Sequence, residues 1–213
     1  MIFGGDNATQ QFENWVLVNV TPPETVIVDV FPSPGVAYDP VTLSSLSSYT
    51  YWLRGAGGTR PSIGSESVFG ISLLSGRSLE AMGAGDLILT DLLFVSQDIN
   101  QDGSTPFGGL LFLDEVQVLV DRCIVTEATD SGILSFNSSV SVVDCWIHHC
   151  SGIQGGGMRG ASGQGPNTLS ALRTLFSDNV ATGFFGEAGG GAISLNTNPV
   201  SYTHLTLPTI CSV

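Results

Sequence analysis

Three stretches of the sequence share one pattern and decide the fold. They are Val118-Leu-Val-Asp-Arg-Cys-Ile-Val125, Val140-Ser-Val-Val-Asp-Cys-Trp-Ile147 and Leu169-Ser-Ala-Leu-Arg-Thr-Leu-Phe176. Each has apolar residues at alternate positions, followed by one or two charged residues, a small residue and two apolar residues. Alternation of this kind is typical of β-strands, and none of the three shows an extended helical period. We therefore interpret them as equivalent strands of successive repeats.

The overlay of these stretches predicts which residues stack on one another. The small residue falls at one position in all three repeats, and a large apolar residue follows two positions later. Residues two apart on a strand share a face. We therefore expect two stacks, one of Cys123, Cys145 and Thr174, and one of Val125, Ile147 and Phe176.

A glycine followed by a short apolar run marks a second part of the repeat. The glycines are spaced by 39, 23, 25 and 34 residues, which suits a unit of about 22–25 residues with loop insertions. One such unit cannot bury its apolar face alone, whereas parallel units about 4.8 Å apart pair every strand above and below. The sequence thus predicts an all-β parallel β-helix. The runs begin at Gly70, Gly109, Gly132, Gly157 and Gly191.

A short motif carries a family resemblance. Phe176-Ser-Asp-Asn179, followed by Gly190-Gly-Ala-Ile193, resembles the F-x-x-N and G-G-A-I signature of polymorphic outer membrane protein repeats. That family is similar to the pectin-lyase-like group of right-handed parallel β-helices, found as surface passenger domains and adhesins. The literal match covers about twenty residues, and a degenerate repeat runs from Asp86 to Leu195. The resemblance implies a single-stranded right-handed parallel β-helix in an extracellular or cell-surface protein.

Composition narrows the classes of partner. Of 213 residues, 42% are hydrophobic and 12% charged, which is a globular composition. Six basic residues, all Arg, face nineteen acidic ones, for a net charge of −13. Such a chain lacks the clustered cations that grip nucleic acid or an anionic membrane surface. Its apolar stretches are also far shorter than the roughly 20 residues that span a bilayer.

The chain divides into three predicted segments. Residues 1–60 contain two good strands but several prolines and no glycine-apolar unit, so we expect irregular opening coils or a small β region. Residues 61–199 form the β-helix repeats. The last segment, 200–213, has another origin, since Val200 to Thr209 resembles a translated sequencing adapter, the transposase end of tagmentation libraries. We expect this tail to be non-native and the chain to be a fragment of a longer protein.

One loop has the spacing of a calcium site. Asp98, Asn100 and Asp102 precede Gly103 in the pattern D-x-N-x-D-G, which places alternate side-chain oxygens around one hard cation. The twelfth position is Gly109, where an EF-hand supplies a bidentate Glu. The candidate cofactor is therefore calcium, bound weakly by Asp98, Asn100 and Asp102. The alternative is a polar insertion with Asx turns.

A His-His-Cys stretch invites a zinc or nucleophile interpretation. His and Cys are good zinc ligands, yet side chains alternate along a strand, so His148 and His149 are expected to diverge unless the chain turns. Without C-x-x-C or H-x-x-x-H spacing, we expect a solvated turn leaving the coil. Without the tail, the cysteines are Cys123, Cys145 and Cys150, an odd number. We expect Cys123 and Cys145 to form either a buried ladder of stacked side chains or a disulfide.

Catalytic carboxylates are hard to find. Glycoside hydrolysis needs two carboxylates about 5–9.5 Å apart, and only Asp121-Arg122 and Asp144 suggest a charged patch between coils. The negative charge also argues against an acidic polyuronate. We expect a non-catalytic structural or adhesive protein whose partner is carbohydrate or a host or cell-surface ligand. The alternative is a polysaccharide lyase or glycoside hydrolase of the pectin-lyase-like fold whose catalytic coils are missing.

Overall fold

The computed structural model describes residues 25–30, 41–43, 49–56, 79–95, 110–161, 165–183 and 190–195. Within these residues all regular elements are β-strands, paired in parallel in sheets of ten, four and two strands. The protein is therefore all-β with a β-solenoid-like arrangement, in which one repeat of backbone forms a coil. The strands are β1 (Thr25–Val30), β2 (Val41–Leu43), β3 (Thr50–Gly55), β4 (Leu79–Thr90), β5 (Leu93–Val95), β6 (Leu111–Asp121), β7 (Ile124–Thr126), β8 (Ile133–Phe136), β9 (Ser139–Val143), β10 (Trp146–His148), β11 (Ser151–Gly152), β12 (Met158–Ala161), β13 (Thr168–Leu172), β14 (Leu175–Ser177), β15 (Val180–Ala181) and β16 (Ile193–Leu195).

The predicted apolar stack is confirmed. Ile147 of β10 pairs in register with Val125 of β7 on one side and with Phe176 of β14 on the other. Val125 and Ile147 are fully buried, and Phe176 packs against the same core. The apolar residues that recur in the three sequence stretches thus line the interior of the four-stranded sheet.

The ten-stranded sheet supplies most of the core through alternate residues. β1 pairs with β3 and β3 pairs with β4, so residues 25–30 and 50–55 belong to the same sheet as the repeats. The inward residues form two rows that cross the sheet, and burial of aliphatic side chains in such rows is the main stabilising contribution to the fold. The rows are Val26, Tyr51, Leu87, Val118, Val140 and Leu169, and Leu53, Leu89, Val120, Val142 and Ala171, all of them buried.

The glycines mark places where neighbouring coils approach closely. A Cβ atom on Gly132 would lie 2.6 Å from the carbonyl oxygen of Gly157, and one on Gly157 would lie 2.5 Å from that of Ala192. Gly132 and Gly157 are equivalent, but Ala192 occupies the next level, so the glycine spacing misplaces Gly191 by one residue. Gly70 and Gly109 lie outside the described residues. The register that the structure shows joins Leu111, Ile133, Met158 and Ile193.

Each coil turns at residues with left-handed backbone conformation. Among the described residues, nine that are not glycine have φ between 48° and 60°. The conformation is costly for such residues, and hydrogen bonds between coils offset it, as from the Arg122 amide to the Val143 carbonyl at 2.9 Å. The residues form three rows that we call the first corner (Glu115, Asn137), the second corner (Asp91, Arg122, Asp144, Arg173) and the third corner (Glu127, His149, Asp178).

The first corner differs in length from coil to coil. β6 runs through it without a break, two residues separate β8 from β9, and six separate β12 from β13. Asn167 closes the longest connection, because its Oδ1 accepts from the Ser138 amide at 3.0 Å and its Nδ2 donates to the carbonyl oxygens of Ser135 and Ala161 at 2.9 and 2.8 Å. By contrast, the second and third corners are five residues apart in each of the three coils where both are described, at Arg122 and Glu127, Asp144 and His149, and Arg173 and Asp178.

The asparagine of the F-x-x-N motif has a similar role at the third corner. Asn179 accepts a hydrogen bond from the Cys150 amide at 3.0 Å and donates one to the Ile147 carbonyl at 2.7 Å. Both bonds join the Asn179 side chain to backbone groups of the preceding coil. The motif residue therefore joins two coils.

Candidate ligand-binding face

The solvent-facing side of the ten-stranded sheet carries an apolar row. Ile27, Trp52, Ile88 and Leu119 lie in register on four adjacent strands, and we call them the outer patch. Ile27 is 50% exposed and Leu119 37% exposed, while Trp52 and Ile88 are half-buried. At a strand spacing of about 4.8 Å the patch is about 14 Å long. An apolar row of this kind on the solvent side of a sheet is a feature that binding surfaces show.

Trp52 is held in place by its neighbours. Its Nε1 donates a hydrogen bond to the Thr90 hydroxyl at 2.9 Å, and the Arg54 guanidinium carbon lies 5.3 Å from the centre of its ring. Arg54 in turn pairs with Asp29, through its Nε to Oδ1 and its Nη2 to Oδ2 at 3.3 Å. The hydrogen bond from Arg54 lowers the pKa of Asp29. The indole is thus fixed before any ligand arrives.

Polar side chains flank the outer patch. Asp86 and Gln117 are exposed, lie in register and occupy the outward position two residues before Ile88 and Leu119. A carboxylate, a carboxamide and an indole on one surface can donate, accept and stack. This combination suits a ligand that presents hydroxyl groups and an apolar face together.

Further along the same row, beyond Leu119, serine side chains take the place of the apolar residues. Ser141 and Ser170 occupy the next two levels, and their hydroxyl oxygens are 2.8 Å apart. Beside them, Thr168 donates to the Ser139 hydroxyl at 2.8 Å. This row is therefore apolar at β1, β3, β4 and β6 and carries hydroxyl groups at β9 and β13.

Sequence reasoning did not find the outer patch. Its signal is present in Thr25–Val30, where apolar residues occupy outward as well as inward positions. The same excess occurs in Asp86-Leu-Ile-Leu89. When the strand pairing is unknown, such apolar runs indicate only a buried strand.

The suggested charged patch exists, but its members neutralise one another. Arg122 donates to Asp91 from Nε at 2.8 Å and from Nη2 at 3.1 Å, and its Nη1 contacts Asp121. Asp144 accepts from Arg173 at 2.6 and 2.7 Å, and this hydrogen bonding lowers the pKa of Asp144. The carboxylates at the second corner are therefore ion-paired.

The expected turn is present at His149, so the condition for His148 and His149 to diverge is not met. His149 has φ of 51°, and its Nδ1 lies 2.7 Å from Nδ1 of His148. His149 is exposed, as expected of a solvated turn, whereas His148 has no solvent-exposed surface. Cys150 points the other way, into the core.

All three described cysteines are buried free thiols. Cys123 and Cys145 form the predicted ladder, since the Cys123 amide lies 3.4 Å from Cys145 Sγ and the Cys145 amide lies 3.4 Å from the Thr174 hydroxyl. The disulfide alternative is therefore wrong. Burial raises the pKa of Cys145 and of Cys150 to about 12 and also raises that of Cys123. Neutral thiols of this kind are poor nucleophiles.

Two predictions lie outside the described residues. The candidate calcium ligands Asp98, Asn100 and Asp102 fall in one gap, and the adapter-like tail at 200–213 falls in another. Among the residues that the structure does describe, no group of three or more His, Cys, Asp or Glu side chains is arranged to hold a metal ion.

Comparisons of the chain with protein-family models, with curated proteins and with solved structures gave no match. In the described part of the chain, no helix has the length and hydropathy needed to cross a membrane. Function is therefore inferred from the chemistry of the outer face.

Proposed function

We propose that this chain is part of a right-handed, single-stranded parallel β-helix in a secreted or surface-displayed protein, with a structural and adhesive role. Parallel pairing at every level supports the β-helix, and parallel crossover connections are right-handed in about 98% of cases. The sequence motif at Phe176 and Gly190 supports the likeness to polymorphic outer membrane protein repeats.

The adhesive surface is the outer patch, and its ligand is a neutral carbohydrate chain. The observation that carries this proposal is the row Ile27, Trp52, Ile88 and Leu119, which faces solvent beside Asp86 and Gln117. The faces of sugar rings are apolar and their edges carry hydroxyl groups, so an indole beside a carboxylate and a carboxamide complements them. The net charge of −13 disfavours acidic polysaccharides.

A binding role is better supported than the catalytic alternative. The carboxylates at the second corner are engaged by Arg122 and Arg173, which removes them as a free acid and base pair. A polysaccharide lyase or glycoside hydrolase would need its carboxylates elsewhere. Release of reducing ends or of unsaturated uronates from a polysaccharide would favour that alternative.

Affinity gel electrophoresis tests the binding role. Gels that contain a soluble neutral β-glucan, a mannan or polygalacturonate separate the neutral ligands from the acidic one. We expect a neutral polysaccharide to retard the protein and Trp52→Ala to reduce that retardation about tenfold. Leu172→Ala is the matched control, since Leu172 is 43% exposed but lies outside the outer patch. Equal retardation of Trp52→Ala and the wild type, or none by any neutral polysaccharide, would refute the proposal.

A further inference from the structure

Two histidine rings meet at the third corner. The left-handed turn at His149 brings its ring against that of His148, with ring centres 5.0 Å apart and planes at 77°. The two Nδ1 atoms are 2.7 Å apart, which is a hydrogen-bond distance. One nitrogen must therefore carry the hydrogen while the other supplies its lone pair.

The two rings have different access to solvent. His148 is fully buried and stacks on Trp146, with ring centres 3.8 Å apart and planes at 21°. The Thr126 hydroxyl lies 3.2 Å from His148 Nδ1 and can act as donor or acceptor. His149, by contrast, is exposed.

The charged groups at this corner are carboxylates. Glu127 in the preceding coil and Asp178 in the following coil share the corner row with His149, and both are exposed. The flanking strands Ile124–Thr126 and Leu175–Ser177 carry no titratable side chain. The exposed His149 thus lies in one row with two carboxylates, whereas His148 lies in a buried site.

We propose that His148 and His149 form a proton-sensitive latch over Trp146. The closed form holds one hydrogen between the two Nδ1 atoms, whether the pair is neutral or carries a single charge. A second charge places a hydrogen on both nitrogens, and 2.7 Å leaves no room for two. The exposed His149 then swings away and uncovers His148, so that His148 and the half-buried Trp146 on which it stacks become more accessible to solvent. The latch couples the proton concentration to exposure of an aromatic surface.

Acrylamide quenching of Trp146 fluorescence tests the latch. The full chain carrying Trp15→Phe and Trp52→Phe leaves Trp146 as the single indole. Histidine charge changes between about pH 8 and 5. On going from pH 7.5 to pH 5 we expect the quenching constant to rise about twofold. The change should be reversible while the far-ultraviolet circular dichroism stays constant.

His149→Asn is the decisive variant. Asn tolerates the left-handed conformation and forms hydrogen bonds, but it does not take up a proton. Its quenching constant should stay the same at both pH values, whereas His204→Ala, in the tail, should behave like the parent. An equal rise in His149→Asn, or no rise in the parent, would overturn the latch. Should the double Trp replacement fail to fold, the Trp146 indole N–H resonance of the otherwise unchanged protein gives the same comparison.

Discussion

Arg122 lies one level above Asp91 in the second corner and binds both of its carboxylate oxygens, at 2.8 and 3.1 Å. The next level repeats the arrangement with Arg173 and Asp144. Acid and base thus alternate along one row, so each coil offers the coil above it a charge of opposite sign. These ion pairs favour the observed register between coils, because a shift of one coil by one residue would move Asp144 away from Arg173.

The first prediction concerns the more buried of these pairs. Arg122→Met should lower the free energy of unfolding by about 1 kcal/mol, because Asp91 is only 17% exposed and loses both hydrogen bonds from Arg122. Arg173→Met is the matched control, and its pair is more exposed, so a smaller loss is expected. Urea unfolding of both variants makes the comparison, and equal losses would contradict it.

The second prediction concerns the Asp144 carboxyl. Its hydrogen bonds from Arg173 hold its pKa below the ordinary value, so its contribution to stability is present above that value and is lost as the pH falls through the folded pKa. Arg173→Met should raise the pKa of Asp144 towards the ordinary value of an aspartate. Carbon-13 NMR of the carboxyl over pH 2 to 6 measures it. An unchanged titration in the variant would show that Arg173 does not set the pKa.

The third prediction separates the two faces of the solenoid. Ile147→Ala should cost about 2–5 kcal/mol, because it empties a site between Val125 and Phe176. Leu119→Ala removes an aliphatic side chain of similar size from the outer patch and should cost less than about 1 kcal/mol. Thermal and urea unfolding should rank them in this order. A larger loss for Leu119→Ala than for Ile147→Ala would mean that the core has been assigned to the wrong face of the strands.

The fourth prediction concerns thiol reactivity. In a Cys211→Ser variant, a thiol-specific aromatic disulfide at pH 8 should label none of Cys123, Cys145 and Cys150 in the folded protein and all three in guanidinium chloride. Burial both excludes the reagent and raises the thiol pKa values. Rapid labelling of one thiol without denaturant would show that its coil opens readily.

The fifth prediction concerns calcium. Asp98, Asn100 and Asp102 have the spacing of a calcium loop without the bidentate Glu, so the expected Kd is on the order of 10⁻⁴–10⁻³ M. Calcium at several times Kd should then stabilise the protein by about 1 kcal/mol. Calorimetric titration of the wild type and of Asp102→Ala measures this. Equal and negligible heats would leave the segment as a polar loop.

The sequence predicted the interior better than the corners or the outer face. The stack of Val125, Ile147 and Phe176 was accessible because apolar residues recur there at one position. The position of Gly191 was not, since the residue equivalent to Gly132 and Gly157 is Ala192, which a search for glycines does not mark. The turn at His149 was expected, but the recurrence of such turns in three corner rows was not, because the nine corner residues of the described segments are charged or polar types that also occur on exposed strand positions.

The unequal connections at the first corner indicate where such a fold accepts insertions during evolution. The connection after β8 has two residues and that after β12 has six, yet Leu169 still pairs with Val140. The five-residue interval between the second and third corners does not vary. The paired strands set the spacing of the coils along the axis, whereas the first-corner connections set how wide each coil is. Insertions at the first corner therefore widen a coil without lengthening the stack.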